Sequence, residues 1–123
     1  MAKKWQTTIN NFKAVRSENA NKIAGFGIIP AGACKETLPN LIRFPLLVAD
    51  AVTKKEVLQY SQKMGLGISD GYPDSIDGIY ELRNDSGGNS FPVAKDIAER
   101  IVTLPVHPYV NEVDIRNIVQ LFQ

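Results

Sequence analysis

The 123-residue sequence holds a single cysteine, Cys34, and a single histidine, His107. A lone cysteine closes no internal disulfide, and four-ligand zinc sites need more Cys and His than this chain has. Neither a disulfide framework nor a metal centre is therefore expected. Cys34 reads as a small half-buried loop residue; a nucleophilic role would require His107 beside it in space. Charge of one sign is also scarce: Lys and Arg number 14 against 13 Asp and Glu, a formal net charge of +1. Only Lys3-Lys4 and Lys54-Lys55 are adjacent, and no basic stripe with interleaved aromatics occurs, so no nucleic-acid partner is expected. No run of about 18 apolar residues is present, so no membrane-spanning segment is expected. Met1-Ala2-Lys3-Lys4-Trp5 leads into polar residues rather than the apolar core of a secretory signal. The expected location is the cytoplasm.

What the chain does contain is an ordinary globular composition, 44% apolar and 22% charged, at a length that suits one domain over residues 1–123. Ile9, Phe12, Val15, Ile23 and Phe26 share one stripe at helical periodicity, and Gly25 and Gly27 end that helix. Pro30 to Pro39 reads as a loop. Leu41 to Val48 reads as a strand, with Pro45 marking it as an edge or a bulge. Thr53 to Glu56 has capping-box spacing, and the helix that follows carries Val57, Tyr60, Ser61 and Met64 on one face and closes at Gly65. Leu66-Gly67-Ile68 predicts a short strand, Ser69 to Ser75 a turn-rich loop, and Gly78 to Leu82 a second weak strand. Asn84 to Ser90 reads as a surface loop. Pro92 suits a first helical position, with Val93, Ile97, Ala98 and Ile101 as the apolar face. Val102 to Pro108 is extended, and Asn111 with Asp114 caps a terminal amphipathic helix bearing Ile115, Ile118, Val119 and Phe122. The expected architecture is α/β (α+β): a small mixed or antiparallel sheet of two or three strands packed with about four helices.

An ordered set of segments carries a resemblance. Phe91-Pro92-Val93-Ala94, Ile97-Ala98, Leu104-Pro105-Val106-His107-Pro108 and the Asn111-capped helix follow one another at the C-terminal end. Before them come Arg43-Phe44-Pro45-Leu46-Leu47-Val48, the helix closing on Gly67-Ile68, Tyr72-Pro73, and Arg16-Ser17-Glu18-Asn19-Ala20 on the first helix. From about Phe12 onward this resembles the C-terminal small domain of the nucleotide-sugar aminotransferases of the DegT/StrS type. That family has the type-I aminotransferase fold and uses pyridoxal phosphate to move an amino group, usually from glutamate, onto a keto-sugar nucleotide. The products feed lipopolysaccharide, glycan or antibiotic sugars. The resemblance implies a large domain that supplies the cofactor lysine, the acidic partner of the pyridine nitrogen and most phosphate ligands. Nothing here resembles that domain. The expected partner is therefore a pyridoxal-phosphate-binding large domain or subunit, and no cofactor is expected in this chain alone. Lys95 reads as a solvated lysine.

No catalytic, cofactor-binding or metal-binding residue is assigned in this chain. Three side chains are candidates for substrate contact. An imidazole can serve proton transfer; His107 either pins the extended stretch between Pro105 and Pro108 or lies near the substrate cleft of the complete enzyme. Arg43 can hold a carboxylate in two parallel bonds or form a surface ion pair. Tyr72, with Asp70 and Asp74, offers an aromatic face and carboxylates to a sugar, or is a solvated turn. Three functions follow. The chain is a fragment or split subunit of a sugar aminotransferase. Alternatively it is a detached binding or regulatory module with an exposed apolar patch on its first helix, which a homodimer would also cover. Ranked last is a stand-alone small enzyme using His107 with Cys34 or nearby carboxylates.

Overall fold

The computed structural model describes residues 2–32, 38–82 and 87–123. Cys34 and part of the stretch from Asn84 to Ser90 lie outside the described residues. The elements run α1 (Ala2–Gly25), β1 (Arg43–Leu47), α2 (Ala51–Met64), β2 (Ser69–Asp70), α3 (Pro92–Arg100), β3 (Ile101–Pro105) and α4 (Glu112–Gln120). A single 3₁₀ turn, Tyr80–Leu82, stands between β2 and α3.

The three strands form one antiparallel sheet in the order β1-β3-β2. Both outer strands oppose β3, so β1 and β2 are parallel to each other, with α2 crossing between them and β3 filling the gap, a split βαβ unit. Pro45 lies on the edge strand β1, as its missing donor demands. It sits opposite Thr103, and its carbonyl accepts from Ala31 N at 2.9 Å on the side away from β3. The nitrogen of the same residue points the same way, so the ladder loses no bond.

Alternation along the strands separates two faces. Phe44, Val102 and Leu104 are fully buried on one of them. They join a core with Ala20 and Ile23 of α1, Val57 of α2, and Ile115, Ile118 and Val119 of α4. Burying each large apolar side chain in that core contributes about 1.5–3 kcal/mol. Arg43, Thr103 and Ser69 occupy the other face.

Local chemistry sets the helix limits. The cap of α2 is Asp50, whose carboxylate accepts from Thr53 N at 2.7 Å, so the helix begins ahead of the Thr53–Glu56 capping box that the spacing predicts. Gly65 ends it with φ at 67°, a left-handed conformation suited to glycine. Leu66-Gly67-Ile68 is not a strand. Gly67 is left-handed at φ 72°, and Ile68 N donates to Ser61 Oγ at 2.9 Å, so strand pairing starts only at Ser69. Gly78 to Leu82 is not a strand either. Bonds from Gly78 N to Ser75 O and from Leu82 N to Ile79 O coil it into turns. At α4, Asn111 and Asp114 form the reciprocal capping box that their spacing predicts.

Candidate functional site

Arg43 leaves β1 on the open face of the sheet and lies across its neighbours. Its Nε donates to Thr103 Oγ1 at 2.7 Å; Nη2 donates to the carbonyl oxygens of Gly67 at 2.7 Å and Thr103 at 3.0 Å. Thr103 Oγ1 is in turn 2.9 Å from Ser69 Oγ, so one polar row crosses all three strands. Burial lowers the Arg43 pKa from its usual value, yet a guanidinium remains cationic at any physiological pH. Among the described residues no carboxylate pairs with Arg43, and its Nη1 makes no hydrogen bond. The surface ion pair is thus not what holds this side chain. It is a fixed cation with one terminal nitrogen available to an incoming acceptor.

Tyr72 follows β2 at the other end of the sheet. Gly71 packs over Ile101 so closely that a Cβ there would sit 3.0 Å from the Ile101 side chain. The backbone of Tyr72 is fixed by Lys54, whose Nζ donates to its carbonyl at 3.4 Å and to the Ala98 carbonyl at 2.6 Å. The same ammonium pairs with Asp70 Oδ1 at 2.6 Å. Asp70 is therefore tied to the fold at its surface. So is Asp74, whose Oδ1 accepts from Ser75 N at 2.7 Å and whose carboxyl fills the space a side chain on Gly78 would need. Asp77 completes the latch, accepting from Ser75 Oγ at 2.7 Å and from Phe91 N at 3.3 Å; the Ser75 bond, then the Phe91 bond, holds its carboxyl below the usual range. The ring of Tyr72 stays exposed and borders a cavity of about 280 Å³ with Ile76 and with Ala94, Ile97 and Ala98 of α3. Asp74 is exposed and lines the same cavity, so the Tyr72 ring and the Asp74 carboxylate are both open to a ligand there.

His107 leaves β3 at the opposite end, two residues beyond Pro105. Its backbone does the pinning: the carbonyl accepts from Val110 N at 3.0 Å and from Asn19 Nδ2 at 3.3 Å. The imidazole is exposed, with the Tyr109 ring tilted beside it at a centroid distance of 6.0 Å. The structure does not bring His107 and Tyr72 together, because β3 separates them. Arg43 stands between, opposite Pro105 in register. Lys54, Thr103 and Ser75 organise these positions and stand out in no sequence pattern; Asn19, which also organises them, belongs to the Arg16–Ala20 segment. Among the described residues no group of three His, Cys, Asp or Glu is placed to hold a metal ion.

No curated protein sequence matches this chain. The model of the DegT/DnrJ/EryC1/StrS aminotransferase family matches residues 8–123. The chain belongs to that family. Solved structures agree in fold. Helicobacter pylori PseC, an aminotransferase involved in the biosynthesis of pseudoaminic acid, superposes with a TM-score of 0.77 at 17% identity, over 94% of this chain and 33% of its own. DesV of S. venezuelae, solved in complex with a ketimine intermediate, gives 0.76 at 15% identity, over 95% and 32%. The sugar aminotransferase CalS13 from Micromonospora echinospora gives 0.72 at 18% identity, over 93% and 31%. The chain thus spans about a third of the length of each of these three structures.

Pyridoxal phosphate is the cofactor this family implies, and the described residues of this chain do not fit it. The buried lysine, Lys54, is committed to Ala98, Tyr72 and Asp70. Lys22 is paired with Glu18 and Glu112. The N-termini of α2 and α4 carry carboxylates at Asp50, Glu112 and Asp114, which repel a phosphate where a helix could otherwise receive one. Among the described residues no helix is long and apolar enough to cross a membrane.

Proposed function

We propose that this chain is the small-domain third of a sugar aminotransferase that moves an amino group, from glutamate, onto a keto-sugar nucleotide. It acts as a fragment or split subunit and is not catalytic alone. A pyridoxal-phosphate-binding large domain or subunit completes it, and that polypeptide supplies the amino-group chemistry. One observation carries this reading: 93–95% of the chain superposes on only 31–33% of aminotransferase chains of known structure. The same reading puts its work in the cytoplasm, where a protein with a single cysteine needs no disulfide.

In the assembled enzyme this chain covers the substrate cleft. Tyr72 presents its ring face to the sugar, whose C–H surface suits an aromatic. Arg43 offers Nη1 to a carboxylate of the amino donor. The exposed imidazole of His107 is the third substrate-facing group, at the far end of β3. Lys54, Thr103 and Ser69 position these side chains rather than touch substrate.

Co-expression with the polypeptide encoded next to this chain tests the reading. The pair is expected to hold pyridoxal phosphate and to transfer an amino group from glutamate to a keto-sugar nucleotide. The chain alone, mixed with the cofactor, is expected to develop no absorbance band near the visible edge. A strong band from the chain alone, or a neighbouring reading frame with no cofactor-binding polypeptide, would overturn it.

A further inference from the structure

The cavity beside Tyr72 joins two chemistries. One side offers the Tyr72 ring, 63% exposed, and the Asp74 carboxylate. The other is apolar: Ile76 from the turn after β2, with Ala94, Ile97 and Ala98 of α3. The spacing of those three puts them on one face of α3. Only Ala98 is buried, so Ala94 and Ile97 turn toward the hollow rather than into the core. Ser75, the remaining polar residue of the lining, is 5% exposed and spends its hydroxyl on Asp77 Oδ1 at 2.7 Å. Asp74 Oδ1 accepts from Ser75 N at 2.7 Å and stands 3.5 Å from Ser75 Oγ, whereas Oδ2 has no donor among the described residues. The hollow therefore asks for a donor at one point and for apolar surface beside it.

We infer that this cavity receives an N-acylamino substituent of the keto-sugar, and that the complete enzyme prefers a substrate bearing one to its hydroxyl counterpart. This rests on the function proposed above and names the substrate class of that site. Three substituents can stand on a sugar edge lying against Tyr72. A hydroxyl donates to Asp74 but leaves Ile76, Ala94 and Ile97 wet. A methyl covers those side chains but brings Asp74 no donor. An acylamino group does both: its N–H meets Oδ2 in a charge-assisted bond, and its methyl removes apolar surface from water. Its carbonyl oxygen keeps its hydration, because Tyr72, Asp74 and Ile76 are exposed around the opening. Four non-hydrogen atoms need roughly 120 Å³ at the volume of a liquid water each, and the cavity holds about 280 Å³. Asp74 and Asp77, both bonded to Ser75, make the rim anionic, so neither the diphosphate of the nucleotide nor a carboxylate of the amino donor suits it.

The test uses the complex of this chain with the large-domain polypeptide encoded beside it. Its substrates are pairs of keto-sugar nucleotides that differ at one ring carbon only, acetamido in one and hydroxyl in the other. One pair should show a preference in kcat/KM of about tenfold or more for the acetamido member, carried by KM. Ala94→Leu fills the hollow from an exposed helical position that tolerates leucine. It should raise KM for the acetamido substrate about tenfold and leave that of the hydroxyl substrate within about twofold. Asp74→Asn keeps the bond from Ser75 N through its carbonyl and sets an N–H where Oδ2 stood, so it should raise the same KM. No preference in any pair overturns the inference, as does an Ala94→Leu protein whose two KM values are unchanged or rise alike. In both cases transfer to the sugar persists and the proposed function stands. Transfer to none of the substrates removes the proposed function itself, and the specificity falls with it.

Discussion

Lys54 Nζ stands 2.6 Å from Asp70 Oδ1 and 2.6 Å from the carbonyl oxygen of Ala98, so one ammonium on α2 fastens β2 and α3 together. The lysine is 7% exposed, whereas the Asp70 side chain is 45% exposed. Lys54→Met keeps the stem but leaves the Ala98 carbonyl and Asp70 without their donor. A fully buried pair broken this way costs about 3–5 kcal/mol; with one partner half in water, about 2–3 kcal/mol is expected. Urea unfolding measures it. A loss below about 0.5 kcal/mol would show that water replaces the ammonium.

Asn19 makes a comparable tie between α1 and the segment after β3. Its Nδ2 donates to Val106 O at 3.2 Å and to His107 O at 3.3 Å, and the residue is 5% exposed. Asn19→Ala removes the donor from both carbonyls, one of which belongs to a fully buried residue. The expected loss is about 1–3 kcal/mol by denaturant unfolding, with hydrogen exchange accelerated around Val106. Asn19→Asp should be no better, because a carboxylate offers no donor.

Those two residues also mark where the sequence is legible and where it is not. Periodicity locates α1, α2, α3 and α4, although the apolar face it picks out is not buried throughout: on α3 only Ala98 is buried, and Ile9 and Phe12 on α1, with Phe26 just past its end, stay exposed. The prolines place β1 at an edge and bound β3. Strand pairing was misplaced at Leu66 to Ile68 because those apolar residues are buried by loop geometry, with Ser61 Oγ taking the amide that a strand would have used. Gly78 to Leu82 misled for a similar reason: its amides bond to carbonyls three residues back, and residue type does not reveal bonds that local. At the site, Arg43 and Tyr72 stood out by residue type. Lys54 did not, since beside Lys55 it resembled any solvated pair, and only the fold brings Ala98 and Asp70 to it.

Acid should loosen the start of α2. Hydrogen bonding from the Thr53 backbone amide is the main cause that lowers the Asp50 pKa below its ordinary 3.8. A carboxyl whose folded pKa is depressed stabilises the fold fully above its unfolded pKa and loses that contribution as pH falls through the folded one. Stability should therefore be flat in this respect at neutral pH and decline below 3.8. Asp50→Asn keeps a capping acceptor without the titration, so part of the acid-side slope should vanish while the helix remains capped. Unfolding curves of the two proteins at neutral and acid pH decide it; an identical slope in both would place the titration elsewhere.

His107 separates backbone from ring. Its carbonyl carries the bonds from Asn19 and Val110, and its imidazole is exposed. His107→Ala should therefore cost the isolated chain no more than about 0.5 kcal/mol. In the assembled enzyme the same substitution tests substrate contact. A changed kcat/KM supports contact; unchanged turnover leaves the residue a purely structural role.

Tyr72 gives the sharper test of the substrate face, because its fixed backbone and free ring can be perturbed apart. The loop is held by Lys54 from below and by the Ser75–Asp77–Phe91 bonds from the side, none of which involves the phenol. Tyr72→Ala should then leave the melting temperature of the chain nearly unchanged, within about 0.5 kcal/mol of stability. If the ring stacks on a sugar, Tyr72→Ala raises KM for the keto-sugar nucleotide about tenfold in the assembled enzyme, and Tyr72→Phe, which keeps the face and loses the hydroxyl, restores most of it. If instead the hydroxyl makes the contact, Phe behaves like Ala. Equal KM values for all three proteins would remove Tyr72 from the substrate face and leave Arg43 and His107 as the groups through which this chain reaches the substrate.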